Sequence, residues 1–110
     1  MTLKTIAPIF ALRESKRSEV ISLLREDVQR LRANDPDLKF WLIGSYAVGN
    51  WDSCSDVDVV CVSKNRYYEL NFTASNQYLM DVFSLTDVEF KRRIDGSGLF
   101  RQAINKGISL

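Results

Sequence analysis

The stretch Phe40-Trp41-Leu42-Ile43-Gly44-Ser45, followed after ten residues by Asp56-Val57-Asp58-Val59-Val60-Cys61-Val62, decides how this chain is read. Phe40 to Ile43 are four consecutive apolar residues behind an Asp35-Pro36-Asp37 turn signal, which predicts a strand buried on both faces. Gly44 ends that strand. A glycine there lets the backbone turn sharply and lets a ligand approach with no Cβ in the way. Ser45 is then placed as the N-cap of a short helix over Tyr46-Ala47-Val48. Backbone N–H groups at a helix start suit phosphate, and a serine hydroxyl can donate to a phosphate oxygen. By itself a glycine-serine pair is more often an ordinary strand-to-helix turn.

Asp56 to Val62 predicts a second strand. Side chains alternate along a strand, so Asp56 and Asp58 share one face while Val57 and Val59 share the other. Two like charges side by side repel, and burying them unpaired costs more. A divalent cation removes the conflict, and Mg²⁺ is usually held by one or two carboxylates together with substrate phosphates. The bland alternative makes Asp56 a turn cap and Asp58 a solvated edge residue. A third carboxylate shifts the balance. Asp81 is the only charge in the strand-like run Tyr78 to Leu85, where a buried-looking setting demands a partner. If this strand lies beside the Asp56–Asp58 strand, three carboxylates converge. Two metal ions roughly 4 Å apart could then bridge a triphosphate. Asp81 could also serve as the base for an acceptor hydroxyl. The alternative for Asp81 is an ion pair with Arg92 or Arg93.

Gly44-Ser45-Tyr46-Ala47-Val48-Gly49, then Ser55-Asp56-Val57-Asp58-Val59-Val60, resembles the signature of the DNA polymerase β superfamily of nucleotidyltransferases. Within it the chain is most similar to the minimal (MNT-type) group, with its Gly-Ser-x-Ala-x-Gly and Ser-Asp-hydrophobic-Asp pattern. Met80-Asp81-Val82-Phe83 fits the third acidic position. Thr86-Asp87-Val88-Glu89-Phe90 resembles the opening of the next helix, and Ala103 to Leu110 the closing helix-glycine-apolar segment. The resemblance runs from about Leu38 to Leu110. Many members carry an arginine where Tyr46 or Val48 stands, so a phosphate contact would have to come from elsewhere, with Lys64 and Arg66 as candidates.

Composition agrees with one small domain spanning 1–110. A chain of 110 residues, 45% hydrophobic and 26% charged, supports a single core. A formal net charge of +1 gives no global basic field for non-specific nucleic-acid binding. Cys54 and Cys61 form no CxxC pair and there is no histidine, which argues against zinc. Cys61 reads as a core thiol and the reactivity of Cys54 stays open. No apolar run approaches a membrane span, and Pro8 and Arg13 break any signal-peptide pattern. The expected compartment is the cytoplasm.

Around the catalytic core of about 38–85, helices are expected at about 15–33 and about 87–106. The first starts at Ser15 or Ser18 as N-cap and carries Val20, Leu23, Leu24, Val28 and Leu31 at helical spacing. Its other face holds Arg25, Glu26, Gln29 and Arg30. The plain reading is a solvated face. The sharper one is a basic groove for a polyanion built from Arg13, Lys16, Arg17, Arg25, Arg30 and Arg32, diluted by Glu14, Glu19, Glu26 and Asp27. Thr86 with Glu89 is a capping-box pattern for a helix to about Arg93, Asp95 to Gly98 a loop, and Leu99 to Lys106 a last helix ended by Gly107. Trp51 could stack on a base, though loop packing is the commoner role. Tyr67 and Tyr68 stay open as acceptor-side or modified residues.

The fold class expected is α/β (α+β), a small mixed sheet of three to four strands flanked by helices, in the polymerase β-like nucleotidyltransferase fold. The resemblance implies a Mg²⁺-dependent transferase, with two ions, that moves a nucleoside monophosphate (AMP from ATP as the leading case) onto a hydroxyl and releases pyrophosphate. Asp56, Asp58 and Asp81 would hold the metals and act in catalysis. Gly44, Ser45, Asp56 and Asp58 would bind the nucleotide. Larger relatives add a substrate domain, so here the acceptor or a partner protein is expected to supply that wall. In the family, minimal domains are often paired with a small helical HEPN-type toxin, to whose tyrosine the transferase adds AMP as antitoxin. A non-catalytic partner-binding module, and transfer to a small molecule or RNA end, remain open, as does homo-oligomerisation. No membrane partner is expected.

Overall fold

The computed structural model describes residues 3–49, 56–67 and 69–110, with side chains from Ser15 onward. The expectations attached to Trp51, Cys54, Ser55, Tyr68 and the side chains of Arg13 and Glu14 lie outside those residues. In chain order the elements are helix α1 (Leu3–Asn34), strand β1 (Lys39–Ile43), helix α2 (Ser45–Val48), strand β2 (Val57–Ser63), a 3-10 turn (Thr73–Asn76), strand β3 (Met80–Thr86), helices α3 (Asp87–Gly96) and α4 (Gly98–Lys106), and strand β4 (Ile108–Ser109). The sheet order is β3-β2-β1-β4. β1 runs antiparallel to β2 and β4, whereas β2 and β3 are parallel. A parallel pair needs a crossover, and the segment from Lys64 to Leu79 supplies it.

The two interior strands are covered on both faces. Phe40 and Leu42 of β1 and Val57, Val59 and Cys61 of β2 pack against Val20, Leu24 and Val28 of α1, with Phe72 and Ala74 of the crossover. On the other face Val60, Val62 and Leu85 meet Trp41, Ile43, Phe90, Phe100 and Ile104. There the Trp41 and Phe90 rings stack at 5.1 Å, and Phe100 meets Phe90 edge-on at 5.8 Å. Such pairs add about 0.5–1.5 kcal/mol each beyond their burial. Cys61 is a core thiol as expected, its pKa pushed up to about 12 by burial and then by Asp35.

Four sequence expectations shift. α1 begins at Leu3, so Ser15 and Ser18 lie inside it rather than at its N-cap. Ala11, Leu12, Arg13 and Glu14 are all good helix formers, so nothing halts a helix there. The loop expected over Asp95 to Gly98 shrinks to Ser97. Its backbone N–H closes α3 on Arg93 O, and its hydroxyl accepts from Phe100 N–H to start α4. The capping box of Thr86 and Glu89 forms as read. β3 is an edge strand and Asp81 on it is exposed, so the buried setting expected for that carboxylate is absent. Asp27, read as an acid diluting the basic residues of α1, is instead buried.

Asp27 ties α1 to the crossover. Its carboxylate accepts from the Thr73 hydroxyl at 2.7 Å, the Thr73 amide at 3.1 Å and the Ala74 amide at 3.2 Å, with Arg30 at 3.2 Å. Burial works to raise its pKa, but these donors outweigh it and hold the carboxyl below its ordinary value. Asp27→Ala should lower the unfolding free energy by about 3 kcal/mol, read by urea titration at neutral pH. A depressed folded-state pKa means this contribution is complete above the unfolded value of about 3.9 and disappears as pH falls through the lower folded value. The gap between wild type and Asp27→Ala should therefore close in acid.

Candidate active site

β2 is buried along its whole length except at Asp58, which is half-buried. The register sets Asp58 between Ile43 of β1 and Asp81 of β3. Paired strands lie about 4.8 Å apart, and register partners share a face, so the two carboxylates stand side by side on the α3/α4 side of the sheet. Asp56, exposed, immediately precedes β2. The Asp58 carboxyl is pushed above its ordinary value, first by burial, then by the charges of Asp81 and Asp56. Among the described residues Asp81 has no ion pair with Arg92 or Arg93, and the Arg93 guanidinium sits over the Phe100 ring instead. The three acids are thus brought into one electrostatic neighbourhood, and no ion pair to any of them is formed among the described residues.

Gly44 completes that corner. Its backbone, at φ 75° and ψ −155°, occupies a region only glycine populates readily. A Cβ there would lie 2.8 Å from Asp58 Oδ2, so the glycine lets the carboxylate lie against the chain. Gly44, rather than Ser45, is the N-cap of α2, and no side chain caps that helix. The shift of one residue follows from the Gly44 carbonyl, which accepts from the amides of Ala47 and Val48.

Lys64 and Arg66 cannot supply the phosphate contact missing at positions 46 and 48. β2 points away from the acids, and six residues of strand carry the chain about 20 Å to Lys64. Arg66 there pairs with Glu89 at the start of α3. The basic-groove reading of α1 dissolves likewise. Arg30 donates to Asp27 and to Asn71 O, and Arg32 to Leu38 O and Leu110 O. Arg17 donates to Tyr46 O and Ala47 O. Arg25 lines a groove of about 700 Å³ along α1 together with Glu26 and Arg32, the last already bonded to Leu38 O and Leu110 O. None of the three acids opens into that groove. Tyr67 donates from its hydroxyl to Asp35 and from its amide to Ser84 Oγ, on the α1 side of the sheet and away from the acids.

The family model for the nucleotidyltransferase domain matches residues 21–106, which include Gly44, Ser45 and all three acids. The chain belongs to that family. Its chemistry is nucleotidyl transfer, with a nucleoside triphosphate as substrate and, generally in the family, a divalent metal ion. The four-stranded mixed sheet flanked by helices is consistent with the polymerase β-like nucleotidyltransferase fold. No curated protein and no solved structure matches the chain.

Among the described residues no three acidic, cysteine or histidine side chains already form a metal cage. The donor chemistry nevertheless suits a hard cation, since Mg²⁺ takes only one or two carboxylates and fills its shell with phosphate oxygens and water. Of the residues that matter here, reading the sequence underrated Arg17 and Asp27. Their signal was present: both fall on the stripe of α1 that carries Val20, Leu24 and Val28, where a charged side chain must find a partner. Gly44→Ala should cost about 2 kcal/mol in urea unfolding, because it combines a forbidden backbone region with a clash against Asp58. It should also weaken triphosphate binding by calorimetry.

Proposed function

We infer that the protein is a Mg²⁺-dependent nucleotidyltransferase that moves a nucleoside monophosphate, AMP from ATP as the leading case, onto a hydroxyl acceptor. The observation that carries this reading is the placement of Asp58 against Gly44 on one side and beside Asp81 on the other. Asp56, Asp58 and Asp81 are the residues that would hold the metal. When bound, the metal supplies charge neutralisation for the triphosphate and for the leaving pyrophosphate. Gly44 leaves room for the terminal phosphates and the Ser45 hydroxyl donates to them. Asp81, exposed at the sheet edge, is open to an incoming acceptor and takes the proton from its hydroxyl. The acceptor oxygen forms the new bond to the α-phosphorus as the bond to pyrophosphate breaks.

The acceptor in this reading is a tyrosine of a small helical HEPN-type partner, which the protein modifies as an antitoxin. It is supported by the family membership and by the exposure of Phe83 on β3 and of Leu79 just before it, which flank Asp81 and offer apolar contact to a protein surface. The test is calorimetry of ATP, CTP, GTP and UTP with and without Mg²⁺, followed by label transfer to the partner. Asp58→Asn should remove Mg²⁺-dependent binding and transfer. It should also raise the melting temperature slightly, since it deletes a half-buried charge that two neighbours repel. Undiminished transfer by Asp58→Asn would sink the metal-site assignment.

A further inference from the structure

α2 is a single turn of four residues, too short to hold itself by its own hydrogen bonds. Its Ser45 carbonyl is paired along the chain by the amide of Gly49. The next two carbonyls, Tyr46 O and Ala47 O, receive Nε and Nη2 of Arg17 from α1, each at 2.7 Å. A guanidinium presents its donors as a rigid fork, and a positive charge at a helix C-terminus faces the negative end of the dipole. Arg17 therefore closes the C-terminal end of α2 from a different element 29 residues away.

The other end of the same turn is Gly44, whose backbone lies against Asp58. Gly44 O is bonded to the amides of Ala47 and Val48, so the turn transmits the position of one end to the other. We propose that Arg17 is a positioning residue: by clamping Tyr46 O and Ala47 O it holds the Gly44-Ser45 backbone in register with Asp58, and so shapes the triphosphate site without touching the nucleotide. This rests on the nucleotide reading above.

The test compares Arg17→Lys with Arg32→Lys. Arg32 is a matched control: it too links α1 to two backbone carbonyls, Leu38 O at 2.9 Å and Leu110 O at 3.1 Å, away from the acids. A lysine keeps the charge and loses the fork. In Arg17→Lys the amides of Val48 and Gly49 should exchange faster with solvent, and Mg²⁺–NTP affinity should fall about tenfold. Arg32→Lys should leave both at wild-type values. Arg17→Gln provides the same readouts if the lysine variant does not fold. Unchanged exchange or unchanged affinity in the Arg17 variants overturns the proposal, as does an equal loss of affinity in Arg32→Lys. Wild-type protein that binds no NTP overturns the nucleotide reading and the role of Arg17 with it. Binding by wild type and Arg17→Lys alike overturns Arg17 alone.

Discussion

Pairing of β2 with β1 on one side and β3 on the other is the constraint from which the site follows. A strand bonded along both edges and buried on both faces cannot slip by one residue, because a slip would exchange its two faces and turn Asp58 into the core under α1. Asp58 is consequently fixed beside Ile43 and Asp81, whatever the cost of its charge. That cost shows in its raised pKa, which comes from burial and from two neighbouring carboxylates. An arrangement that holds like charges together against a glycine backbone is what a polyphosphate with its cation can neutralise.

The two faces of the sheet do different work. On one side α1 supplies an apolar stripe, but it is also joined to the rest by charged side chains that end on backbone or on buried partners. Arg17 reaches α2, Asp27 and Arg30 reach the crossover, and Arg32 reaches Leu38, just before β1, and Leu110. Hydrogen bonds of charged groups contribute about 1.5–3 kcal/mol each, so these ties rival the burial of individual core side chains. On the other side, α3 and α4 cover only the part of the sheet around Val60, Val62 and Leu85. The carboxylates lie beyond that cover, where Asp81 and Phe83 stay exposed. Structure is concentrated on the α1 face and access on the other.

Much of this was legible in the residues themselves. Apolar runs at Phe40 to Ile43 and Val57 to Val62, the Thr86–Glu89 capping box and the apolar stripe of α1 are local patterns, and local sterics enforce them. Gly44 was likewise readable as the place where a side chain is not tolerated. What stayed hidden depends on which distant segments meet. Asp81 looked buried because its strand is apolar, yet strand order puts β3 at an edge. Lys64 and Arg66 are close to Asp58 in sequence, yet the direction of β2 carries them to the far end of the sheet.

By itself, then, the sequence determined the elements, the acidic positions and the glycine that makes room for them, since each follows from dihedral preferences and side-chain periodicity within a few residues. Only the tertiary structure decided that Asp58 and Asp81 are register neighbours, that Asp81 faces solvent, that Asp27 is buried, and that Arg17 clasps the turn 29 residues downstream. Those outcomes are set by strand order, parallel pairing and the docking of α1, which depend on burying the whole apolar surface at once rather than on any local segment.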